Sequence, residues 1–99
     1  MRIPFKAQWR DAMLTGKKIC TSRTKRYGNE GDTFEVFGHT FALIGVEKQT
    51  LSWVANNLFY AEGCDTPEAF RQVWDEIHPR RGYVGNDTVW VHYFEEVTL

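Results

Sequence analysis

The sequence predicts an α+β fold: a small, mostly antiparallel β-barrel with helices inserted between its strands. Three observations carry this. Short stretches alternate apolar and polar residues with period two, two longer stretches repeat at 3.6, and glycine or proline punctuates the junctions. The chain has 99 residues, which suits a single domain over 1–99 with one modest core. Apolar residues make up 42% and aromatics 15%, so the composition is that of a packed globule, not a disordered chain.

The elements follow in order. Arg2 to Phe5 reads as a short edge strand, where Pro4 is tolerated. Phe5, Trp9, Ala12 and Met13 recur at helical spacing, and Gly16 is a C-terminal stop. Ile19 to Arg23 reads as a strand, and Thr24 to Gly31 as a polar loop. Thr33 to Phe37 and Phe41 to Val46 are two strands, with Gly38-His39-Thr40 as the hairpin turn between them. Leu51, Val54, Ala55, Leu58 and Phe59 form one helical stripe. Phe70, Val73, Trp74 and Ile77 form another, opened by Asp65-Thr66-Pro67-Glu68 and closed by His78-Pro79. Arg80 to Asp87 is a loop. In Thr88 to Phe94, Val89, Val91 and Tyr93 alternate with Trp90, His92 and Phe94, so both faces of this last strand are covered.

Charge and cysteine content narrow the function. The net charge of −1 excludes a polycation that coats nucleic acid indiscriminately. Yet Lys17, Lys18, Arg23, Lys25 and Arg26 fall together with no acid among them, which suits one anionic partner docked in one place. Cys20 and Cys64, in a chain with no apolar leader segment or membrane-length run, predict reduced thiols and a cytoplasmic location. His39, His78 and His92 are scattered and no Cys or His pair has ligand spacing, so neither metal nor cofactor is expected. Composition leaves the oligomeric state open.

The densest chemistry lies in Gly16-Lys17-Lys18-Ile19-Cys20-Thr21-Ser22-Arg23. This order of elements, with Gly-x-Lys-x-x-Thr-x-Arg after the first helix and Gly31-Asp32 ahead of the next strand, resembles the ASCH domain, a small PUA-like β-barrel. The resemblance covers essentially the whole chain, and the specific motif covers Gly16 to Arg23. Short bacterial ASCH members include N4-acetylcytidine amidohydrolases. The resemblance implies a catalytic set of Lys18, Thr21 and a later glutamate, best matched by Glu62, with Arg23 as the motif arginine. The chain departs from those enzymes in its Trp74…His78-Pro79 segment and in its Arg80-Arg81-Gly82-Tyr83 loop. Other ASCH relatives are viewed mostly as RNA-binding modules, which makes a non-catalytic RNA-binding domain the alternative.

Elementary chemistry gives these residues roles. Thr21 and Arg23 project to one face of a strand, roughly 7 Å apart, together with Ile19. Cys20 and Ser22 point the other way, so Cys20 is expected to be a buried, inert thiol. Lys18 meets Thr21 only if it lies in the turn after Gly16. Amide cleavage needs a nucleophile, a proton acceptor and a donor for the leaving nitrogen. Thr21 offers the hydroxyl, Lys18 a base and Glu62 a proton relay. Each also has a plainer reading: helix-end lysines are commonly solvated, threonine favours strands, and Arg23 could form a salt bridge to Glu62. Arg80, Arg81 and Tyr83 are candidate substrate-binding residues, with Tyr27 as a second aromatic for stacking a base. No continuous basic stripe is visible in the sequence, so a free nucleoside or a single exposed nucleotide is expected to bind better than a long RNA strand.

Overall fold

The computed structural model describes residues 1–98. A single 3-10 turn, Ala7–Trp9, leads into helix α1 (Arg10–Leu14). Strands β1 (Cys20–Arg23), β2 (Thr33–Val36) and β3 (His39–Thr50) follow, then α2 (Leu51–Asn57), α3 (Pro67–Ile77) and β4 (Thr88–Glu96). The strands form one antiparallel sheet in the order β1-β4-β3-β2. Its curl makes it a half-barrel with the helices against it, the α+β architecture expected from the sequence.

Three boundaries differ from the sequence reading, each for a local reason. Arg2–Phe5 forms no strand: the N-terminal ammonium reaches the Thr33 carbonyl, Ile3 is buried, and the segment crosses the sheet as irregular chain. The β2–β3 turn contains two residues, not three. Phe37 and Gly38 both take positive φ, 56° and 79°, the backbone of a type I′ turn, which frees His39 to pair with Val36. β3 runs on to Thr50 because Glu47, Lys48, Gln49 and Thr50 pair with β4, though their polarity hides the strand in the sequence. Within β3 the register slips between Leu43 and Gly45, leaving Ile44 as the extra residue of a bulge that bends the strand.

The two helices after β3 each begin at a threonine cap, the second of them at the Thr66 the sequence marked. Thr50 accepts a hydrogen bond from the Trp53 amide, and Thr66 accepts one from the Ala69 amide at 3.0 Å, with Pro67 in the first helical turn. Two apolar clusters sandwich the sheet. Under α2 and α3 lie Cys20, Leu51, Val54, Phe70, Trp74, Val89 and Val91. On the opposite face Phe34, Phe41 and Phe94 pack with centroids 5.5 to 5.8 Å apart, joined by Ile3, Met13 and Leu43. β4 feeds both clusters through its alternation.

Candidate active site

Among the described residues β1 is an edge strand: β4 lies on one side and no strand on the other. A cavity of about 410 Å³ opens along that free side. The N-terminal segment, the 61–64 turn and α3 close it, with Trp9, Tyr27, Phe70 and Trp74 supplying aromatic wall. Ordinary small-molecule pockets have this size and this apolar lining with a few polar groups.

Two backbone devices bring the polar groups in. Gly16 takes φ +83° after α1, and the chain returns so that the Lys18 amide donates to Ala12. The amides of Ile19 and Cys20 both donate to the Ala61 carbonyl, at 2.8 and 3.2 Å, which fastens the turn carrying Glu62 to the start of β1. Gly63, at φ +100°, then lies against Trp9, where a Cβ would come within 3.0 Å of the indole.

The Lys18 and Glu62 side chains are 4% and 7% exposed and form an ion pair at 3.4 Å. The Lys18 ammonium also donates to the Glu62 carbonyl at 2.7 Å and the Cys20 carbonyl at 2.9 Å, and lies 4.8 Å from the Trp9 ring centre. Its three hydrogens are thereby committed. The other Glu62 oxygen accepts from the Ser22 hydroxyl at 2.6 Å and faces the Cys20 thiol at 3.7 Å. Burial, with the Glu62 carboxylate beside it, pushes the Cys20 thiol far above its ordinary range, so it is no thiolate nucleophile.

On the other face of β1, the Arg23 Nε donates to the Thr21 hydroxyl oxygen at 2.9 Å, and Nη2 donates to the Pro4 carbonyl at 2.6 Å. The guanidinium is sandwiched between Phe5 and Tyr27, at 4.9 and 5.6 Å. Burial lowers its pKa, and the neighbouring Tyr27 and Glu62 oppose that shift. Because β1 is an edge, residues from both of its faces reach the one cavity: Lys18, Ser22 and Glu62 from the helix side, Thr21 and Arg23 from the other.

The structure therefore gathers Lys18, Thr21, Arg23 and Glu62 around one cavity, though no hydrogen bond among the described residues joins Lys18 to Thr21. Arg80, Arg81 and Tyr83 do not line it. Arg81 makes a two-pronged contact to Asp87 at 2.8 and 3.0 Å, which holds the Asp87 carboxyl below its usual range. Tyr83 receives the Arg71 guanidinium on its ring and packs against the helix-side core. Arg80 is exposed. Sequence reasoning missed Ser22 and Trp9. For Ser22 a signal exists, since Lys18, Cys20 and Ser22 share the parity of one strand face. Cys64 is buried and lines the cavity. Among the described residues no three His, Cys, Asp or Glu side chains are grouped to hold a metal ion.

No known family profile matches the chain, and no curated protein matches it significantly. Solved structures do. An ASCH domain from Lactobacillus crispatus JV V101 superposes over 96% of this chain and 77% of its own, with TM-score 0.69 at 14% identity. This chain has the ASCH fold. A second structure, a DUF984 protein from Enterococcus faecalis V583, aligns over 91% of this chain and 67% of its own, with TM-score 0.69 at 15% identity. The expected ASCH architecture is thus present across nearly the whole chain, with the cavity on the open side of its first strand. Among the described residues no helix is long and apolar enough to cross a membrane.

Proposed function

We propose that the chain is an amidohydrolase that removes an acyl group from the exocyclic nitrogen of a pyrimidine nucleoside, with N4-acetylcytidine as its first candidate substrate. One observation carries the reading: a buried carboxylate, Glu62, lines an aromatic cavity with a lysine ammonium on one oxygen and a serine hydroxyl on the other. A carboxylate at that place accepts from the exocyclic amine of a cytosine ring, the pairing carboxylates use for that base, and it repels a phosphate. Trp9, Tyr27 and Trp74 give a planar ring apolar walls.

The chemistry follows from the donors in reach. Thr21 attacks the acyl carbon, and the Arg23 Nε–H on its oxygen favours the developing alkoxide. The hydroxyl proton passes to Glu62, by way of a bound water, and from there to the departing nitrogen. Water then cleaves the acyl-threonine, so that N4-acetylcytidine and water give cytidine and acetate. Lys18, with its hydrogens committed, fixes Glu62 and offsets its charge in place of acting as the base first assigned to it. A hydroxyl nucleophile and a carboxylate proton carrier lining one cavity are what amide hydrolysis requires, which favours catalysis over the non-catalytic alternative. The test is incubation with N4-acetylcytidine, followed for cytidine and acetate; no release above the buffer rate removes the reading.

A further inference from the structure

His92 stands in the middle of β4 and takes no part in the chemistry above. Its side chain is fully buried and is not part of the cavity wall. The ladder sets it opposite Thr21 on β1 and Val46 on β3. Both of its ring nitrogens meet backbone groups of cavity residues. Nε2 lies 3.0 Å from the Tyr27 amide nitrogen, and Nδ1 lies 3.3 Å from the Thr21 carbonyl oxygen. These partners fix where the ring's hydrogen sits. An amide N–H can only donate, so Nε2 carries a lone pair; a carbonyl can only accept, so Nδ1 carries the hydrogen. Only the neutral Nδ1–H tautomer satisfies both. Burial opposes the charged ring, and the Arg23 and Arg26 guanidinium groups oppose it further.

Neither contact is a rung of the sheet. Any strand-forming residue at this position would pair β1 with β4, whereas only a side chain with one acceptor and one donor holds these two groups. The contacts also close a loop around the site. Tyr27 lays its ring on the Arg23 guanidinium at 5.6 Å, and the Arg23 Nε donates to the Thr21 hydroxyl oxygen at 2.9 Å. Thr21, Arg23 and Tyr27 all line the cavity. Behind them His92 holds the first by its carbonyl and the third by its amide, and meets the Tyr27 ring edge-on at 6.0 Å. Residues 26–29 belong to no helix or strand, so the bond to Nε2 ties an irregular stretch of chain to the sheet.

We propose that His92 is a positioning residue of this site: from behind the cavity wall it seats Tyr27 against Arg23 and, through Arg23 and the Thr21 backbone, sets the aim of the Thr21 hydroxyl. It touches neither the substrate nor the reacting atoms. The proposal rests on the hydrolase reading for what Thr21 does. To that reading it adds a residue from the far end of the chain, outside the Gly16 to Arg23 motif. The expected effect is large for a residue out of reach of the substrate, because misplacing a reacting group by about 1 Å can cost on the order of 100-fold in rate.

The test has two arms, both on the intact chain. In the first, nitrogen NMR of the wild-type ring near neutral pH shows hydrogen on Nδ1 and none on Nε2, and the Tyr27 amide resists hydrogen exchange. His92→Asn keeps a donor in the place of Nδ1 and leaves nothing at Nε2, so its Tyr27 amide exchanges at least about tenfold faster. A hydrogen on Nε2, or unchanged Tyr27 exchange, overturns the proposal. In the second arm, kcat and KM for N4-acetylcytidine are measured in three proteins, each confirmed as folded by a thermal melt. His92→Asn lowers kcat at least about tenfold and changes KM less than about threefold, the signature of a lost aim with binding retained. His92→Gln, which offers an acceptor and a donor on a side chain of similar reach, keeps kcat within about threefold of wild type. A loss confined to KM, or an equal loss of kcat in both variants, overturns the proposal. Where His92→Asn does not fold, the wild-type tautomer and the His92→Gln rescue decide. No turnover by wild type removes the hydrolase, and the first arm then decides by itself whether His92 fixes Tyr27 and Thr21.

Discussion

Ser22 donates its hydroxyl hydrogen to Glu62 at 2.6 Å, and both groups are buried at the wall of the cavity. This contact joins the first strand to the turn between the helices and sets the direction of the carboxylate. It also separates the two hydroxyls of the site. Ser22 touches the carboxylate, while Thr21 touches the Arg23 guanidinium.

That separation predicts different kinetic signatures. Thr21→Ala lowers kcat by at least about 100-fold, the loss of a nucleophile, with the fold intact. Ser22→Ala lowers it by about tenfold, since Glu62 keeps Lys18 but loses one of its two fixed directions. Steady-state kinetics on N4-acetylcytidine measure both. A larger loss in Ser22→Ala than in Thr21→Ala transfers the nucleophile's role to Ser22.

The Lys18–Glu62 pair makes a stability prediction independent of activity. Glu62→Ala leaves a buried ammonium without its counter-charge and costs about 3–5 kcal/mol, as breaking buried pairs does. Replacing both, Lys18→Met with Glu62→Leu, recovers most of that loss because no charge remains to desolvate. Urea unfolding of the three proteins decides it. A single variant as stable as wild type shows that the pair is hydrated and not buried.

Both cysteines are predicted to resist alkylation in the native state. Burial raises the Cys20 and Cys64 thiols above their ordinary range, so neither holds appreciable thiolate at pH 8. Iodoacetamide labels both only after denaturation, as read by mass spectrometry. Rapid native labelling of Cys20 with loss of turnover makes the thiol the nucleophile.

His92 gives the pH dependence. It is fully buried, its Nε2 accepts from the Tyr27 amide, and its Nδ1 lies 3.3 Å from the Thr21 carbonyl, an arrangement suited to the neutral ring. Burial lowers its pKa below the ordinary histidine value of about 6.5. The unfolded chain therefore binds a proton at a pH where the folded chain does not. The contribution is complete above about pH 6.5 and is lost as the pH falls through that value toward the folded pKa. Urea midpoints at pH 7.5 and 5.5 differ accordingly, and the difference shrinks in His92→Gln. An unchanged difference in that variant assigns the acid sensitivity elsewhere.

Much of this architecture was legible in the sequence, and the failures have physical causes. Thr66 caps its helix as its sequence context predicts, and β4's alternation identifies both of its faces. The tail of β3 was not legible, because Glu47, Lys48 and Gln49 are strand residues only through their pairing with β4. At the site, Lys18, Thr21 and Arg23 belong to one short motif and stay together in space. Glu62 is placed by two amides donating to Ala61, a long-range contact that no local pattern encodes. Arg80, Arg81 and Tyr83 form a motif-like cluster in sequence, yet Asp87 and Arg71 absorb two of them, and the cavity lies elsewhere.

The position of β1 at the sheet margin has a consequence for how this chain tolerates change. A four-residue margin strand carries the polar groups, while the phenylalanine cluster and the β3–β4 ladder stand behind it. Substituting Pro4, Lys6 or Ile77 reshapes the cavity without touching a ladder hydrogen bond. Ligand preference is thereby uncoupled from foldedness: a lineage or an engineer can sample new specificities on the rim while the half-barrel keeps its stability.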